Sequence, residues 1–313
     1  MLRYAATRLL GVLPTLFLII TLAFFAVRLA PGGPFDEEAT LSPDIRANLE
    51  AAYGLDQPMW VQYGRYLKGL VHGDFGPSFK YRDFTVTELI RRGLPVSLTI
   101  GLLALVLAVT GGIAAGSTAA LTRGRWIDPL VMGAAVIGMI LPILVVAPVS
   151  QLIFGIELGW LPVSGWRNGA PGNLVLPVVT LALPLVAYVA RLTRGSMLEV
   201  LAANYIRTAE AKGLPWRRIV LRHALPPALL PVVSYLGPAA AMVLTGSLVV
   251  EKIFGLPGSG RYLIEGALNR DYTLVLGMTI VVATLTLVLN LLADLVSAWL
   301  DPRIRQGVRG RGP

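Results

Sequence analysis

Long apolar runs dominate this sequence, and six of them are candidates to cross a lipid bilayer: residues 9–29, 97–121, 129–154, 174–189, 228–250 and 274–300. A helix needs about 20 mainly apolar residues to cross the hydrocarbon. Inside lipid only helices and closed barrels satisfy their own backbone, so runs of this length predict a helical bundle. The fourth run is the weakest, because Pro177 and Pro184 interrupt it. Neighbouring helices can satisfy the carbonyls that proline frees. The first run is too long for a secretory signal and lacks a convincing small-x-small cleavage site, so it reads as a retained helix.

Composition agrees. Of 313 residues, 55% are hydrophobic and 14% charged, against about 45–50% apolar and about 25% charged in soluble domains. An ordinary water-soluble enzyme is excluded. The chain has no cysteine, which removes disulfides, thiolate metal sites and thiol nucleophiles.

The net charge of +9 is distributed by topology. The N-terminal arm, the loops after the second and fourth runs and the C-terminal tail carry fifteen basic residues against four acidic ones. The positive-inside rule then puts both termini in the cytoplasm. The arginine-rich tail lies where positive charge is expected, so it orients the chain and meets anionic lipid; no nucleic-acid partner is inferred.

Gly112 and Gly116 stand four apart in the second run, a spacing that lets helix backbones approach closely within one subunit or between two. Ionisable residues at mid-depth, which mark ion or proton pathways, are nearly missing. Arg28 and Glu251 fall at outer ends, Asp294 toward an inner end, and Asn290 is the most central strongly polar side chain. That pattern argues against an ion-coupled carrier and for an energy source outside the chain.

The most informative stretch runs from Arg191 to Pro227. Leu198, Leu201, Tyr205 and Ala209 recur at helical spacing. Lys212 suits the C-terminus of that helix, Gly213 its left-handed cap, and Pro215 forbids continuation. A second short helix over 216–224 ends at Pro226-Pro227. The expected product is a cytoplasmic helix-turn-helix finger whose apolar face needs cover, from a partner protein or from the membrane surface.

Arg207-Thr208-Ala209, then Gly213, then His223-Ala224-Leu225-Pro226, resembles the EAA-x3-G-x9-I-x-L-P loop of binding-protein-dependent ABC import permeases. Gly213, Leu225 and Pro226 align directly, while Arg207 stands at the glutamate position and His223 at the isoleucine position. Further blocks resemble the peptide/nickel branch of that family: Arg28 to Phe35, Gly73-Asp-Phe-Gly-Pro-Ser78, Arg191-x-Thr-Arg194, Asn204-Tyr-Ile-Arg-Thr-Ala209 and Asn269-Arg-Asp-Tyr272. The resemblance covers essentially the whole chain and is strongest to oligopeptide importers, with dipeptide, glutathione or nickel importers as the alternative.

It implies an all-α membrane protein with six transmembrane helices in the type I ABC importer (MetI-like) fold. The expected division is 1–29 for the first helix, 30–95 for a long outer segment, 96–300 for a five-helix core and 301–313 for the tail. The implied partners are a homologous second permease, two ATP-binding cassette subunits, an extracytoplasmic peptide-binding protein and an oligopeptide substrate, in a bacterial inner membrane. The implied coupling residues are Asn204, Arg207, Thr208, Ala209, Lys212, Gly213 and Leu214, docking on an ATPase whose closure rocks the spans. No cofactor is expected in this chain; ATP and Mg²⁺ belong to the partner ATPases.

Catalytic signals are weak. No G-x-x-x-x-G-K-[ST] occurs, so the usual phosphate cradle is missing. Gly255-Leu-Pro-Gly-Ser-Gly260 lacks the lysine and reads as a turn. His72 and His223 are expected on opposite faces of the membrane, and the acidic residues at 36–38 read as a solvated stretch. The 53–70 region predicts a helix within the outer segment, which either meets a solute-binding protein or folds as a lid on the membrane domain.

Overall fold

The computed structural model describes residues 2–29, 48, 51, 53–81 and 83–300, and among these the chain is helical with no β-sheet. The acidic residues at 36–38 and the basic tail at 301–313 lie outside the described residues. Helix α1 (Leu2–Leu29) carries the first apolar run, and α2 (Met59–Val71) overlaps the predicted 53–70 helix region, starting six residues later and ending one residue past it. Helix α3 (Val86–Leu121) begins ten residues before the boundary expected at 95/96. The reason is a capping box. Thr85 Oγ1 accepts from the Glu88 amide at 3.2 Å, and Glu88 Oε2 accepts from the Thr85 amide at 3.0 Å. Each carboxyl or hydroxyl oxygen satisfies an otherwise orphaned N–H.

The third apolar run is not a straight span. Helices α4 (Ile127–Ile140) and α5 (Ile143–Ser150, continued in wide turns to Glu157) meet at a 104° bend. Leu141 precedes Pro142 and takes an extended conformation, ψ 119°, as the proline ring demands of its predecessor. Helix α6 (Pro171–Leu201) passes through both Pro177 and Pro184 and extends twelve residues past the run expected to end at 189. It is followed by α7 (Asn204–Ala211), α8 (Leu230–Ile253), α9 (Ser259–Leu268) and α10 (Tyr272–Leu300). Among the described residues four helices are long and apolar enough to cross a membrane, or six if the α4/α5 pair and the 48° bend before α8 each count as one span.

The tightest packing is where α3 crosses α6. A Cβ on Gly112 would lie 2.6 Å from Val189 Cβ, and one on Gly116 would lie 2.3 Å from the Ala190 carbonyl oxygen. The small-residue pair therefore serves packing inside this chain, where close backbone approach replaces the hydrophobic drive that lipid cannot supply. The main apolar cluster joins Ile100, Ala104 and Ala108 of α3 to Leu181 and Leu185 of α6 and Val243 and Val250 of α8.

Two polar clasps close the bundle around the starts of α9 and α10. Glu251, fully buried at the end of α8, accepts from the Gly260 amide at 2.7 Å. A Cβ on Gly258 would lie 2.2 Å from the same carboxylate. The Gly-rich loop thus wraps a carboxylate of its own chain, and the N-terminus of α9 supplies the favourable end of a helix dipole. Nearby, Asp271 caps α10, accepting from the Leu274 amide at 3.0 Å. It also accepts from Ser78 Oγ at 2.5 Å and the Lys80 amide at 3.1 Å. The Gly73–Ser78 and Asn269–Tyr272 blocks meet at this carboxylate, with Ser78 and Asp271 193 residues apart.

Candidate functional site

The Arg191–Pro227 region forms a two-part finger, with corrections to its expected shape. The 198–209 stretch is not one helix. Helix α6 ends at Leu201, Ala203 turns extended (ψ 147°), and α7 starts at Asn204. In consequence Tyr205 points outward, 49% exposed, and Ile206 takes the inward position at 1%. The second arm runs as a helical turn at Trp216–Arg218, wide turns over Ile219–Ala224 and a last turn at Leu225–Ala228. Pro226 and Pro227 do not end it. They occupy the first turn of Leu225–Ala228, where a missing N–H costs nothing.

The apolar face of the finger is covered by the chain's own helices. Ile206, Ala209, Ile219, Val220 and Ala224 pack with Met197 of α6 and Ala120 of α3, with Leu214 at the edge. Most of this face therefore needs no cover from a partner or a membrane: the break at residues 202–203 folds α7 back so that its apolar side completes the bundle. What remains outward is polar and basic: Asn204, Arg207, Thr208, Glu210, Lys212 and Gly213. Tyr205, Trp216 and Leu221 add exposed apolar area. Ala209 is only 8% exposed and faces inward, so it packs the finger and does not form its outer surface.

Gly213 closes α7 as the left-handed cap that the sequence predicts, with φ +72°. Its amide donates to the Glu210 carbonyl at 2.8 Å, and the Leu214 amide donates to the Ala209 carbonyl at 3.3 Å. Both orphan carbonyls of a Schellman ending are thereby satisfied. A Cβ at Gly213 would meet nothing within 4 Å, so the demand there is conformational and not steric. Leu214 then drops its side chain toward the apolar cluster, and Pro215 starts the second arm.

The finger is held at its root by an ion pair that charge counting missed. Arg194 of α6 donates through Nε to Asp128 Oδ1 at 2.6 Å and through a terminal nitrogen to Oδ2 at 2.7 Å. Asp128 sits in the first turn of α4 and is 6% exposed. A bidentate guanidinium–carboxylate pair fixes orientation as well as distance, so it ties the start of α4 to the base of the finger. The Arg191-x-Thr-Arg194 block was the signal for it.

A second cluster of titratable groups gathers around Glu265 of α9. Tyr81 donates to Glu265 Oε2, and Arg261 Nε donates to Glu265 Oε1 at 2.7 Å. Burial opposes ionisation of Glu265, yet the hydrogen bonds from Tyr81 and Arg261 and the charges of Arg261 and Lys252 hold its carboxyl below the usual range. Burial and the Glu265 hydrogen bond push the Tyr81 phenol up. Of the two histidines, His72 contacts the Lys68 carbonyl at 2.8 Å and His223 is half-buried in the finger. Among the described residues no three His, Asp or Glu side chains come together as metal ligands.

With this geometry in place, the family described as "Binding-protein-dependent transport system inner membrane component" matches residues 112–306, and its N-terminal counterpart matches residues 1–101. The chain belongs to this family. The permease is 53% identical to the oligopeptide transport system permease protein OppB of Escherichia coli K12, over 97% of its own length and all of that protein. It is 52% identical to OppB of Haemophilus influenzae over the same share of both chains. It is 41% identical to the dipeptide transport system permease protein DppB of Bacillus subtilis, over 99% of its own length and the whole of that protein.

Two solved structures share the fold of the permease. A chain of the MetNI methionine ABC transporter, in inward-facing conformations, superposes with a TM-score of 0.55 at 17% identity, covering 68% of the permease and 96% of that chain. A chain of an amino acid ABC transporter with histidines superposes with a TM-score of 0.50 at 19% identity, covering 69% and 94%.

Proposed function

We propose that this permease is a membrane subunit of an ATP-driven importer that moves oligopeptides, delivered by an extracytoplasmic binding protein, across the bacterial inner membrane. The observation that carries the reading is 53% identity to the E. coli OppB permease from end to end. In this reading each bent helix pair counts as one span. Six spans then leave both termini cytoplasmic, as the excess of basic residues in the finger supports. A homologous second permease completes the pathway, and two ATPase subunits with bound ATP and Mg²⁺ supply the energy.

The finger is the coupling element. Its outward residues Asn204, Arg207, Thr208 and Lys212 present charge and hydrogen-bonding groups to a groove on the ATPase. Gly213 and Leu214 set the turn, and Ala209 locks α7 onto the bundle. Because Arg194 and Asp128 tie the finger root to α4, a push on α7 is transmitted to α6 and α4 as one body. That is gating by a partner's differential affinity for two conformations.

The test is ATP-driven uptake of labelled peptides into vesicles holding the full complex, with and without this subunit. Uptake of peptides longer than dipeptides that requires ATP and this chain supports the reading. Uptake confined to dipeptides places it with the DppB-like alternative. Uptake collapsed by an ionophore and indifferent to ATP overturns it.

A further inference from the structure

The end of α1, helix α2, the turn that follows it and the start of α10 line an open cavity of about 200 Å³, with Arg28, Gln62, Arg65, Tyr66, Asp74 and Thr273 in its wall. Three of its polar atoms are buried without a hydrogen-bond partner: Arg28 Nε, Tyr66 Oη and Gln62 Oε1. The Gln62 amide nitrogen already donates to the Leu55 carbonyl at 3.0 Å and the Gln57 carbonyl at 2.7 Å. That fixes the side chain so that Oε1 remains an acceptor without a donor. Arg28 Nε is a donor without an acceptor, Tyr66 Oη, which can donate or accept, has no partner, and the Arg28 guanidinium lies 5.1 Å from the centroid of the Phe24 ring. Orphaned buried polar groups cost about 1–3 kcal/mol each, more when charged, so a site that keeps three of them together is built for a ligand. An anion suits the guanidinium and the phenol, and an N–H or ammonium suits Gln62 Oε1.

Depth identifies the source. Tyr63 of α2 hydrogen-bonds Thr21 of α1 at 2.7 Å, and Phe24 packs on Tyr63 and Tyr66 with ring centroids 5.2 and 5.8 Å apart. Thus α2 lies against the outer turns of a membrane-crossing helix. On the same two helices, Leu22 and Leu29 of α1 and Trp60 and Val71 of α2 are 60–84% exposed. Aromatic residues and arginine next to bare aliphatic side chains mark the layer where headgroups meet acyl chains.

We propose that this cavity binds a zwitterionic phospholipid headgroup of the outer leaflet, with its phosphate on Arg28, Arg65 and Tyr66 and its ammonium on Gln62 Oε1 and Asp74. The site is independent of which solute the transporter carries.

The test uses the assembled transporter, reconstituted in nanodiscs with equal phosphatidylethanolamine, phosphatidylcholine and phosphatidylglycerol, and examined by native mass spectrometry after detergent release. One phosphatidylethanolamine retained per copy of this chain is the expected result. Tyr66→Phe, which removes one oxygen, and Arg28→Gln each lower retention about tenfold, and Gln62→Met lowers it without raising phosphatidylglycerol. Soluble phosphoethanolamine and inorganic phosphate, added in separate arms, leave the lipid in place. Equal retention in the wild type and in Tyr66→Phe with an unchanged melting temperature overturns the proposal. So does indiscriminate retention of all three lipids, or displacement by inorganic phosphate, which makes the cavity a free-anion site.

Discussion

Ser78 donates a 2.5 Å hydrogen bond to Asp271 across 193 positions of sequence, so the segment before α3 is fastened to the start of α10 by one buried carboxylate. Asp271 is fully buried and serves at once as the cap of α10 and as acceptor for the Ser78 hydroxyl and Lys80 amide. Replacing it leaves several donors without acceptors. Asp271→Ala should lower stability by about 2–3 kcal/mol, from a lost cap and orphaned buried donors. Limited proteolysis should cut the 73–84 stretch faster in that variant. Unchanged melting and digestion would show that the clasp does not hold the segment.

The neighbouring Tyr81–Glu265–Arg261 cluster makes this end of the molecule sensitive to acid. The Glu265 carboxyl is held below the usual range when folded, so the folded state binds its proton less readily than the unfolded chain. Its contribution is therefore fully present above the ordinary glutamate value, about 4.3, and is lost as pH falls below it. Thermal melting of the wild type and of Glu265→Gln in detergent should differ at pH 6 and converge toward pH 3. A constant difference across that range would contradict the assignment.

Steric demand at the α3–α6 crossing gives a sharper contrast. A Cβ on Gly116 would stand 2.3 Å from the Ala190 carbonyl oxygen, whereas one on Gly133 would meet nothing within 4 Å. Gly116→Ala must force two backbones apart and should cost about 2–3 kcal/mol, as overpacking does. Gly133→Ala in α4 should be neutral or gain up to about 1 kcal/mol from helix propensity. The two melting temperatures, measured side by side, check the pair.

Much of this architecture is legible in the sequence because it rests on local rules. Apolar run lengths locate the long helices, and the 212–215 pattern locates the Schellman ending at Gly213. Gly112 and Gly116 announce a close crossing. What sequence reading missed depends on contacts distant along the chain. Asp128 and Arg194 look like separate topological charges until α4 and α6 are side by side, 66 residues apart. Glu251 looks like a helix-end residue and the Gly255–Gly260 loop like an idle turn until the loop closes on the carboxylate. The break at residues 202–203 was invisible because Ala202 and Ala203 carry no signal against a helix; tertiary packing of Ile206 decides it. The Thr85–Glu88 capping box, by contrast, was in plain view and gives the start of α3 directly.

Conformation, not space, is what Gly213 provides, so its substitutions should sort by tolerance of φ +72°. Asparagine visits the left-handed region at small cost, while valine is a steric outlier there. Gly213→Asn should keep peptide uptake within about twofold of wild type, since the penalty is well below the roughly 1–2 kcal/mol of an ordinary residue. Gly213→Val should insert normally yet lose most ATP-driven uptake while the ATPases still turn over. Equal uptake in the two variants would detach the cap from coupling.

The orientation of α7 allows a direct test of docking. Thr208 points away from the bundle, with its hydroxyl returning a 3.0 Å hydrogen bond to the Asn204 carbonyl, and Ala209 beside it is 8% exposed. The chain has no native cysteine, so single cysteines report cleanly. Thr208→Cys and Lys212→Cys should cross-link to the ATPase subunit in the assembled complex, with a yield that changes when ATP is bound. Ala209→Cys, one residue away but facing Met197 and Ala120, should react at least tenfold more slowly with a membrane-permeant maleimide and should not cross-link. Efficient cross-linking at residue 209 and none at 208 or 212 would mean that α7 presents its other face to the partner.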